Sequence, residues 1–297
     1  MTYLELYNNI IKKRSFLCVG LDTDFAQIPD QLKNLEFPLF EFNKRIIDAT
    51  AMYAVAYKPN TAFYEAEGAL GWRQLEMTVD YLRKKDPSLF IIADAKRGDI
   101  GNSSEKYAKA FFEKMDFDAI TLSPYMGKDS IMPFLKYPGK WAAVLALTSN
   151  VSADDFETLP LLGHIQMLDD LSAMYNSEGF FYSTTETVGF PLFKSVIEKS
   201  MRWGNINNIM YVVGATRPQK LAEIRIFCPN HFFLVPGVGS QGGTIAEVAK
   251  YGMNKHCGLL VNISRDLIYA GNGKDFADAA ASKAAEAAKE MSIFLKD

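Results

Sequence analysis

The chain has 297 residues, of which 48% are hydrophobic and 23% are charged, so it can bury a sizeable core and is neither disordered nor fibrous. Its formal net charge is only −3 at pH 7, which excludes a global field for holding nucleic acid or an anionic membrane. Neither partner is expected, and any bound phosphate would have to be held by local groups.

The residue types that build disulfides, metal sites and targeting signals are sparse. Cys18, Cys228 and Cys257 form no closely spaced pair, and Cys18 lies in an apolar run, so we expect reduced thiols and a cytoplasmic protein. The histidines are scattered without metal-ligand spacing, so no protein-built metal site is expected. The amino-terminal segment lacks a secretory apolar core, and no apolar run is long enough for a membrane span.

Short runs rich in β-forming residues recur along the whole chain. Most are nearly continuous in apolar residues, which is typical of parallel strands that are buried on both faces. In chain order the runs are SFLCVGLD, YAVAYKP, LFIIADAK, FDAITLSP, WAAVLALTS, NIMYVVGAT, HFFLVPGVG and GLLVNISR.

Amphipathic segments with apolar residues at three- and four-residue spacing lie between these runs. Examples are FNKRIIDATAM, RQLEMTVDYLRKK, SSEKYAKAFFEKM and RPQKLAEIRIF, and an Ala-rich segment near the carboxyl terminus predicts a final helix. This alternation predicts an α/β fold, a parallel eight-stranded (β/α)8 TIM barrel, with an open doubly wound sheet as the alternative. Because barrels of this length fold as one unit, we expect residues 1–297 to form a single domain.

Residues 150–208 interrupt the alternation, because they exceed one loop and one helix between the fifth and sixth runs. We therefore expect an insertion after strand 5. Two of its segments, QMLDDLSAMY and FPLFKSVIEKSMRW, have helical patterns, whereas SEGFFYSTTETVG is rich in turn-forming and aromatic residues. The insertion is either a mobile cover over a site or a surface elaboration without function.

Polar residues end several of the predicted strands. In barrels of this kind the active site lies at the carboxyl ends of the strands, so these residues would converge on one mouth. They are Asp22, Lys58, Asp94, Lys96, Thr148, Ser149, Asn150, Ser264 and Arg265, with Asp99 in the loop after the third strand.

The segment IIADAKRGDI carries the strongest constellation. Asp94 and Lys96 are two apart on a strand, so they point to the same side, roughly 6 to 7 Å apart along it. Lys58 lies on the neighbouring strand, and Asp99 follows in the loop. Each cation of this alternating chain favours ionisation of the adjacent acids. The alternative is a stabilising ion-pair ring, in which Asp99 or Asn102 caps the next helix.

Glycines in VPGVGSQGG precede the predicted helix TIAEVAKYG and let backbone N–H groups approach an anion. Arg265 follows the last strand and could pair with phosphate oxygens through two hydrogen bonds. Barrels commonly bind phosphate at the seventh and eighth loops. Simple loop geometry is the alternative explanation for the glycines.

With these motifs located, the sequence resembles the orotidine 5'-monophosphate decarboxylase family, in particular its longer bacterial branch, from about Phe16 to Ile268. The D-x-K-x-x-D-I signature of the family is present, as are its upstream lysine and the aspartate after its first strand. The matching residues are Asp94, Lys96, Asp99 and Ile100 for the signature, Lys58 for the lysine and Asp22 for the aspartate.

The resemblance also extends to the substrate-binding loops. It implies phosphate binding by Gln241, Arg265 and the backbone at Gly242 and Gly243, and pyrimidine recognition by Ser149 and Asn150. The family often has threonine where this chain has Ser103, which keeps the hydroxyl but loses a methyl contact. The insertion makes alignment there insecure, so no catalytic residue is assigned within it.

The resemblance implies an enzyme, a carboxy-lyase that converts orotidine 5'-monophosphate to UMP and CO2 without metal or cofactor, in the last step of UMP biosynthesis. Lys96 would stabilise the developing C6 carbanion and supply the replacing proton, and Asp94 would face the substrate carboxylate. Lys58 would orient Asp94 and bind ribose. Asp22 and Asp99 would hold ribose hydroxyls, with Asp99 reaching in from the partner subunit of a homodimer.

Two other functions remain open at this point. Phosphosugar decarboxylases and hexulose-phosphate synthases are similar to this family but have an added metal-binding acid and no pyrimidine-reading loop, so a magnesium requirement would favour them. A non-catalytic barrel would bind uridine nucleotides without turnover.

Overall fold

A computed structural model of the protein describes residues 1–161, 190–239 and 242–295. Eight parallel strands close into a barrel in which each strand pairs with its neighbours in the chain and the last pairs with the first. The strands are β1 (Leu17–Leu21), β2 (Ala54–Pro59), β3 (Phe90–Arg97), β4 (Ala119–Leu122), β5 (Trp141–Leu147), β6 (Ile209–Val213), β7 (Phe233–Val235) and β8 (Leu259–Ile263). The prediction of a (β/α)8 barrel is confirmed. Seven of the eight predicted runs contain their strand, and β3 extends to Arg97, one residue beyond its run.

The apolar runs form strands because both of their faces are covered. Every residue of β1, β2 and β6 is buried, as expected for strands with helices outside and barrel side chains inside. Gly20 shows how closely β1 approaches β8: a Cβ at this position would lie 2.7 Å from the Cβ of Ser264. A side chain at position 20 would therefore separate the strands that close the barrel.

The helices surround the barrel and alternate with its strands. They are α1 (Tyr3–Lys13), α2 (Asp30–Lys33), α3 (Pro38–Thr50), α4 (Thr61–Glu65), α5 (Gly68–Lys85), α6 (Gly101–Ala108), α7 (Met132–Leu135), α8 (Leu192–Met201), α9 (Pro218–Phe227), α10 (Ile245–Gly252), α11 (Arg265–Ile268) and α12 (Phe276–Ser292). Short 3₁₀ turns cover Lys128–Ser130 and Val151–Asp155. Among the described residues, no helix is both long and apolar enough to cross a membrane.

Helix α1 covers the amino end of the barrel, a feature that the sequence patterns above do not predict. A capping box starts it, since the Glu5 N–H donates to the Thr2 hydroxyl and the Thr2 N–H donates to the Glu5 carboxylate. The indole N–H of Trp141, at the start of β5, donates to the Met1 carbonyl at 2.8 Å. The ring of Tyr3 packs on Phe232, just before β7. These contacts pack α1 against the amino ends of β5 and β7.

The segment after α6 has an unusual form. The sequence predicts one helix over residues 103–115, but α6 continues as a π-helix over Lys109–Lys114.

The predicted insertion leaves the barrel after β5. Its ends meet as a two-stranded antiparallel pair, in which Pro160–Leu161 pairs with Phe190–Pro191. The predicted helix and the aromatic segment between these ends lie outside the described residues, whereas the predicted helix after them is α8.

Candidate active site

A cavity of about 270 Å³ opens at the carboxyl ends of the strands. Most of its lining is contributed by residues at the ends of the strands and by the loops that follow. The lining residues are Asp22, Lys58, Asn60, Asp94, Lys96, Thr121, Leu145, Thr148, Ser149, Asn150, Val212, Leu234, Pro236, Gly237, Val238, Asn262, Ser264, Arg265 and Asp266. Nine of the residues predicted from sequence are thus brought to one cavity: Asp22, Lys58, Asp94, Lys96, Thr148, Ser149, Asn150, Ser264 and Arg265.

Three of these side chains form a continuous chain of charges. The Lys58 ammonium donates to Asp94 Oδ2 at 2.7 Å, and the Lys96 ammonium donates to Asp94 Oδ1 at 2.5 Å. Lys58 is 4% exposed, whereas the side chain of Lys96 is 53% exposed. Lys58 is therefore fixed inside the barrel, while Lys96 can reach a ligand in the cavity.

The charges keep one another ionised. Burial by itself would raise the pKa of Asp94, but Lys58 and then Lys96 outweigh it, so the pKa of Asp94 is lowered. Burial would likewise lower the pKa of Lys58, but the nearby Asp94 and Asp22 carboxylates outweigh it and raise that pKa. Asp94 is thus an anion and Lys58 a cation throughout the neutral pH range.

A bulge at the end of β3 sets the direction of Lys96. Between Ala93 and Arg97 the pairing with β4 shifts, so three residues of β3 lie opposite one residue of β4, Thr121. The Thr121 hydroxyl accepts the backbone N–H of Lys96 at 2.9 Å and donates to Asp94 Oδ1 at 3.0 Å. Thr121 therefore replaces the missing ladder contact and fixes the carboxylate that holds Lys96.

Asp22 has an unused acceptor in the cavity. Its Oδ1 atom lies 3.9 Å from the Lys58 ammonium, and this buried oxygen has no hydrogen-bond partner among the described residues. A buried carboxylate oxygen without a partner is costly unless a donor reaches it. The arrangement suits a ligand hydroxyl.

The loop after β5 brings a second group of polar side chains to the cavity. The Thr148 N–H donates to the Glu157 carboxylate at 2.7 Å, and the Thr148 hydroxyl lies 2.6 Å from the Asn150 side-chain oxygen. Ser149 accepts the Thr216 hydroxyl through its backbone carbonyl at 3.5 Å. The loop is thus held by Glu157 on one side and by the loop after β6 on the other.

The predicted phosphate residues divide into two groups. Arg265 begins α11, is exposed at the cavity, and makes no side-chain hydrogen bond or ion pair with a described residue. Gly242 and Gly243 do not line the cavity, and their N–H groups donate to the carbonyls of Gly239 and Gly237. Gln241 lies outside the described residues.

Close packing explains why residue 243 is glycine. A Cβ on Gly243 would lie 2.5 Å from the Cβ of Ala215, in the loop after β6. The two loops therefore approach each other closely only because residue 243 is glycine. Gly242 instead has a backbone φ of +92°, which favours glycine.

Asp99 and Ser103 do not line the cavity of this single chain. Asp99 lies in the loop after β3, where its side chain accepts the Ile100 N–H at 2.7 Å and its carbonyl accepts the Ser104 hydroxyl. Ser103 is exposed in the first turn of α6. The chain of charges within this single chain thus ends at Lys96.

Five polar residues at the site were not singled out from the sequence: Asn60, Thr121, Asp266, Glu157 and Asn262. Asn60 follows β2, Thr121 lies on β4 and Asn262 lies on β8. Their positions at or near strand ends could therefore have indicated all three as site residues. Glu157 lies beyond the loop it supports, and no pattern marks it. Within the described ranges, no group of three or more His, Cys, Asp or Glu side chains could hold a metal ion.

Comparison with known proteins gives a consistent result. The model of the "Orotidine 5'-phosphate decarboxylase / HUMPS family" matches residues 15–280. An orotidine 5'-phosphate decarboxylase of Phocaeicola vulgatus is 50% identical over 291 residues, which cover 98% of each chain. One from Parabacteroides distasonis is 52% identical over 297 residues, which cover 100% of this chain and 97% of the relative.

Solved structures share the architecture. The OMP decarboxylase of Leishmania donovani superposes with a TM-score of 0.74 at 33% identity, covering 99% of this chain and 100% of that one. An orotidine 5'-monophosphate decarboxylase from Methanocaldococcus jannaschii, complexed with the inhibitor BMP, gives a TM-score of 0.59 at 18% identity. That alignment covers 91% of this chain and 96% of the other, and it shows the common fold.

Proposed function

The chain belongs to the orotidine 5'-phosphate decarboxylase / HUMPS family, and we infer that it decarboxylates orotidine 5'-monophosphate to UMP and CO2 in pyrimidine biosynthesis. The observation that carries this function at the level of the site is the Lys58, Asp94 and Lys96 chain at the mouth of the cavity. It places an ammonium group that can reach a ligand beside a carboxylate that cannot move away.

Lys96 is the proton donor in this mechanism. When the bond between C6 and the carboxylate breaks, the electron pair remains on C6 and CO2 leaves. The Lys96 ammonium stabilises that developing charge and then transfers its proton to C6, and solvent later returns a proton to the lysine. Because Asp94 is held by two lysines and Thr121, the electrostatic environment exists before the substrate arrives.

Asp94 faces the substrate carboxylate, while Lys58 orients Asp94 and binds ribose together with Asp22, whose buried oxygen has room for a hydroxyl donor. Ser149 and Asn150 read the pyrimidine from the loop after β5. Arg265 binds the phosphate from the edge of the cavity, and the family resemblance adds Gln241 and the backbone at Gly242 and Gly243 to that site. Binding energy from the remote phosphate is then available to the reaction at the ring.

The direct test is the loss of orotidine 5'-monophosphate absorbance in a buffer with excess chelator. Full activity is expected, because the charges that act on the substrate are protein side chains. Complete inactivation that added magnesium reverses would instead favour the metal-dependent phosphosugar enzymes that this barrel resembles. Tight UMP binding without turnover would favour a nucleotide-binding barrel.

The active site is completed across a twofold dimer, in which Asp99 of one subunit serves the neighbour's Lys96, while Ser103 binds substrate. Support comes from the position of Asp99, which lies outside the cavity of its own chain yet follows Lys96 by only three residues. A loop that turns away from its own cavity can contribute to the partner's.

Hybrid dimers test this sharing. In a mixture of Lys96→Ala and Asp99→Ala subunits, one site of each hybrid collects both defects and the other collects neither. Random exchange makes about half of the dimers hybrid, so activity should rise to roughly a quarter of the wild-type value. If exchange is demonstrated and activity stays at that of the parents, Asp99 acts within its own chain.

Three further features belong to this proposal. Residues 1–297 form one domain, and the insertion at residues 150–208 includes a cover over the cavity, supported by its base beside the loop that carries Asn150. The enzyme works in the cytoplasm, which the three free thiols favour. Limited proteolysis in the presence of UMP tests the cover, because ligand should slow cleavage within residues 150–208.

A further inference from the structure

We propose that Arg97 is a positioning residue that holds the backbone of Lys96 in a left-handed conformation and thereby directs the Lys96 ammonium onto Asp94. This inference rests on the proposed role of Lys96 as the proton donor. Arg97 itself does not line the cavity. Its effect on the reaction has to pass through the residue before it.

The backbone at Lys96 is under constraint. Its φ angle is +45°, a region that residues with a side chain rarely adopt, and Lys96 is neither glycine nor asparagine. Such a conformation persists only where the surrounding contacts determine it. On the inner side of the bulge the constraint is the Thr121 hydroxyl, which accepts the Lys96 N–H.

Arg97 supplies the constraint on the outer side of the bulge. Its guanidinium donates to the carbonyl of Ala95, inside the bulge, at 3.1 Å, and to the Glu65 carboxylate of α4 at 2.5 Å. The guanidinium carbon also lies 5.2 Å from the ring centre of Tyr107 and 5.6 Å from that of Phe111. One side chain thus ties the bulge to α4 and to the helix that follows β3.

The backbone of Arg97 closes the bulge. Its carbonyl accepts the Ser123 N–H at 2.7 Å, and Arg97 is the position where pairing with β4 resumes, opposite Leu122. The residues on both sides of Lys96 are therefore fixed, Ala95 through the guanidinium and Arg97 through the strand. With both neighbours held, the Lys96 side chain has to leave the strand toward Asp94.

Arg97→Met tests the proposal, since methionine retains much of the buried volume and loses all of the hydrogen bonds. A displaced proton donor should lower kcat for orotidine 5'-monophosphate roughly 10- to 100-fold, because misplacement by about 1 Å has effects of this size. Affinity for UMP, measured by calorimetry, should change by less than about twofold, because UMP binding does not use the proton transfer. Arg97→Lys keeps the ion pair with Glu65 and should recover part of the kcat.

Arg83 is a matched control at the other end of the same strands. Its guanidinium donates to the carbonyls of Asp116 and Leu89 and to the Asp118 carboxylate, so it also joins a helix to β3 and β4. Arg83→Met should lower the thermal midpoint at least as much as Arg97→Met and leave kcat at 25 °C unchanged. An equal loss of kcat in both variants would mean a general effect of destabilisation and would overturn the proposal.

Lys96→Ala separates this inference from the function on which it rests. If Lys96→Ala keeps near-normal turnover, the proposed proton donor is wrong. If that variant is inactive but Arg97→Met keeps kcat within about twofold of wild type, the positioning role alone is wrong. Should Arg97→Met not fold, Arg97→Lys and Glu65→Gln decide: reduced kcat with unchanged UMP affinity supports the proposal, and unchanged kcat in both overturns it.

Discussion

Each end of the barrel contains one deeply buried cation, Lys58 or Arg225, and the two are satisfied differently. At the carboxyl end, Lys58 and Lys96 donate to the Asp94 carboxylate, and the chain of charges faces a cavity. At the amino end, Arg225 of α9 is 7% exposed and pairs with no described carboxylate. Its guanidinium donates to the carbonyls of Gly252, Cys228, Pro229, His231 and Gly258.

This difference separates a site for chemistry from a structural clamp. Arg225 joins the ends of α9 and α10 to the starts of β7 and β8, and its guanidinium carbon lies 3.6 Å from the ring centre of Phe233. Neutral carbonyls do not balance its charge, and burial lowers the pKa of Arg225 to about 10. Opposite charges at the carboxyl end instead preserve ionised groups for a ligand. Pairing with a carboxylate, which Lys58 has and Arg225 lacks among the described residues, distinguishes these two buried cations.

The largest effect expected from this comparison is that of Lys96→Ala. It removes the proton donor and should lower kcat by several orders of magnitude, measured by the absorbance assay. Lys13 is the matched lysine at the amino end, where its ammonium donates to the Ala51 and Ala54 carbonyls and to Asp86. Lys13→Ala should lower the thermal midpoint and leave kcat unchanged. Comparable turnover losses in the two variants would remove the distinction between the ends.

Most of the fold could be predicted from the sequence because burial on both faces leaves a direct pattern. The eight apolar runs each locate a strand, and the interruption at residues 150–208 predicted the insertion after strand 5. Helix α1 was not predicted, because its role depends on contacts such as Trp141 with Met1, which join distant parts of the chain. The π-helix at Lys109–Lys114 was not predicted either, because helical periodicity does not distinguish it from an α-helix.

The charge motif could also be located from the sequence, and the structure brings Lys58, Asp94 and Lys96 into contact as expected. Simple two-residue periodicity does not explain how Lys96 reaches Asp94, because both residues lie in a bulge and Lys96 has a positive φ. Thr121 closes that bulge, and its role depends on the register of β3 and β4, which no local pattern specifies. The roles given to Asp99, Ser103 and the phosphate-binding loop remain predictions.

A second test addresses the phosphate side of the cavity. Arg265→Ala should weaken UMP binding roughly 10- to 100-fold, the usual range for a lost hydrogen bond to a charged group. Binding of uridine, which lacks the phosphate, should change little. Arg217 is a suitable control, because it is a partly exposed arginine already paired with Asp154 at 2.6 Å. Calorimetry with both ligands checks the prediction, and equal losses for UMP and uridine would place Arg265 outside the phosphate site.

The smallest expected effect concerns His231 at the amino end. Its ring is 7% exposed, and neither ring nitrogen has a hydrogen-bond partner among the described residues. Burial, together with the Arg225 charge, lowers the pKa of His231 from 6.5 to about 4. The unfolded chain therefore takes up this proton first, and stability is lost as pH falls from 6.5 toward 4.

The His231→Phe variant isolates this contribution, because phenylalanine keeps a ring beside Tyr211 and cannot be protonated. Between pH 7.5 and pH 5.5 the wild type should lose about 1.4 kcal/mol more unfolding free energy than the variant, the equivalent of roughly one pKa unit. Urea unfolding of both proteins at the two pH values measures that difference. The carboxylates that both proteins have contribute equally to each and cancel in the comparison. If the difference in unfolding free energy between the wild type and the variant does not change with pH, His231 titrates alike in the folded and unfolded chains. The clamp at the amino end would then not exclude a second positive charge, and the contrast with the carboxyl end would not extend to His231.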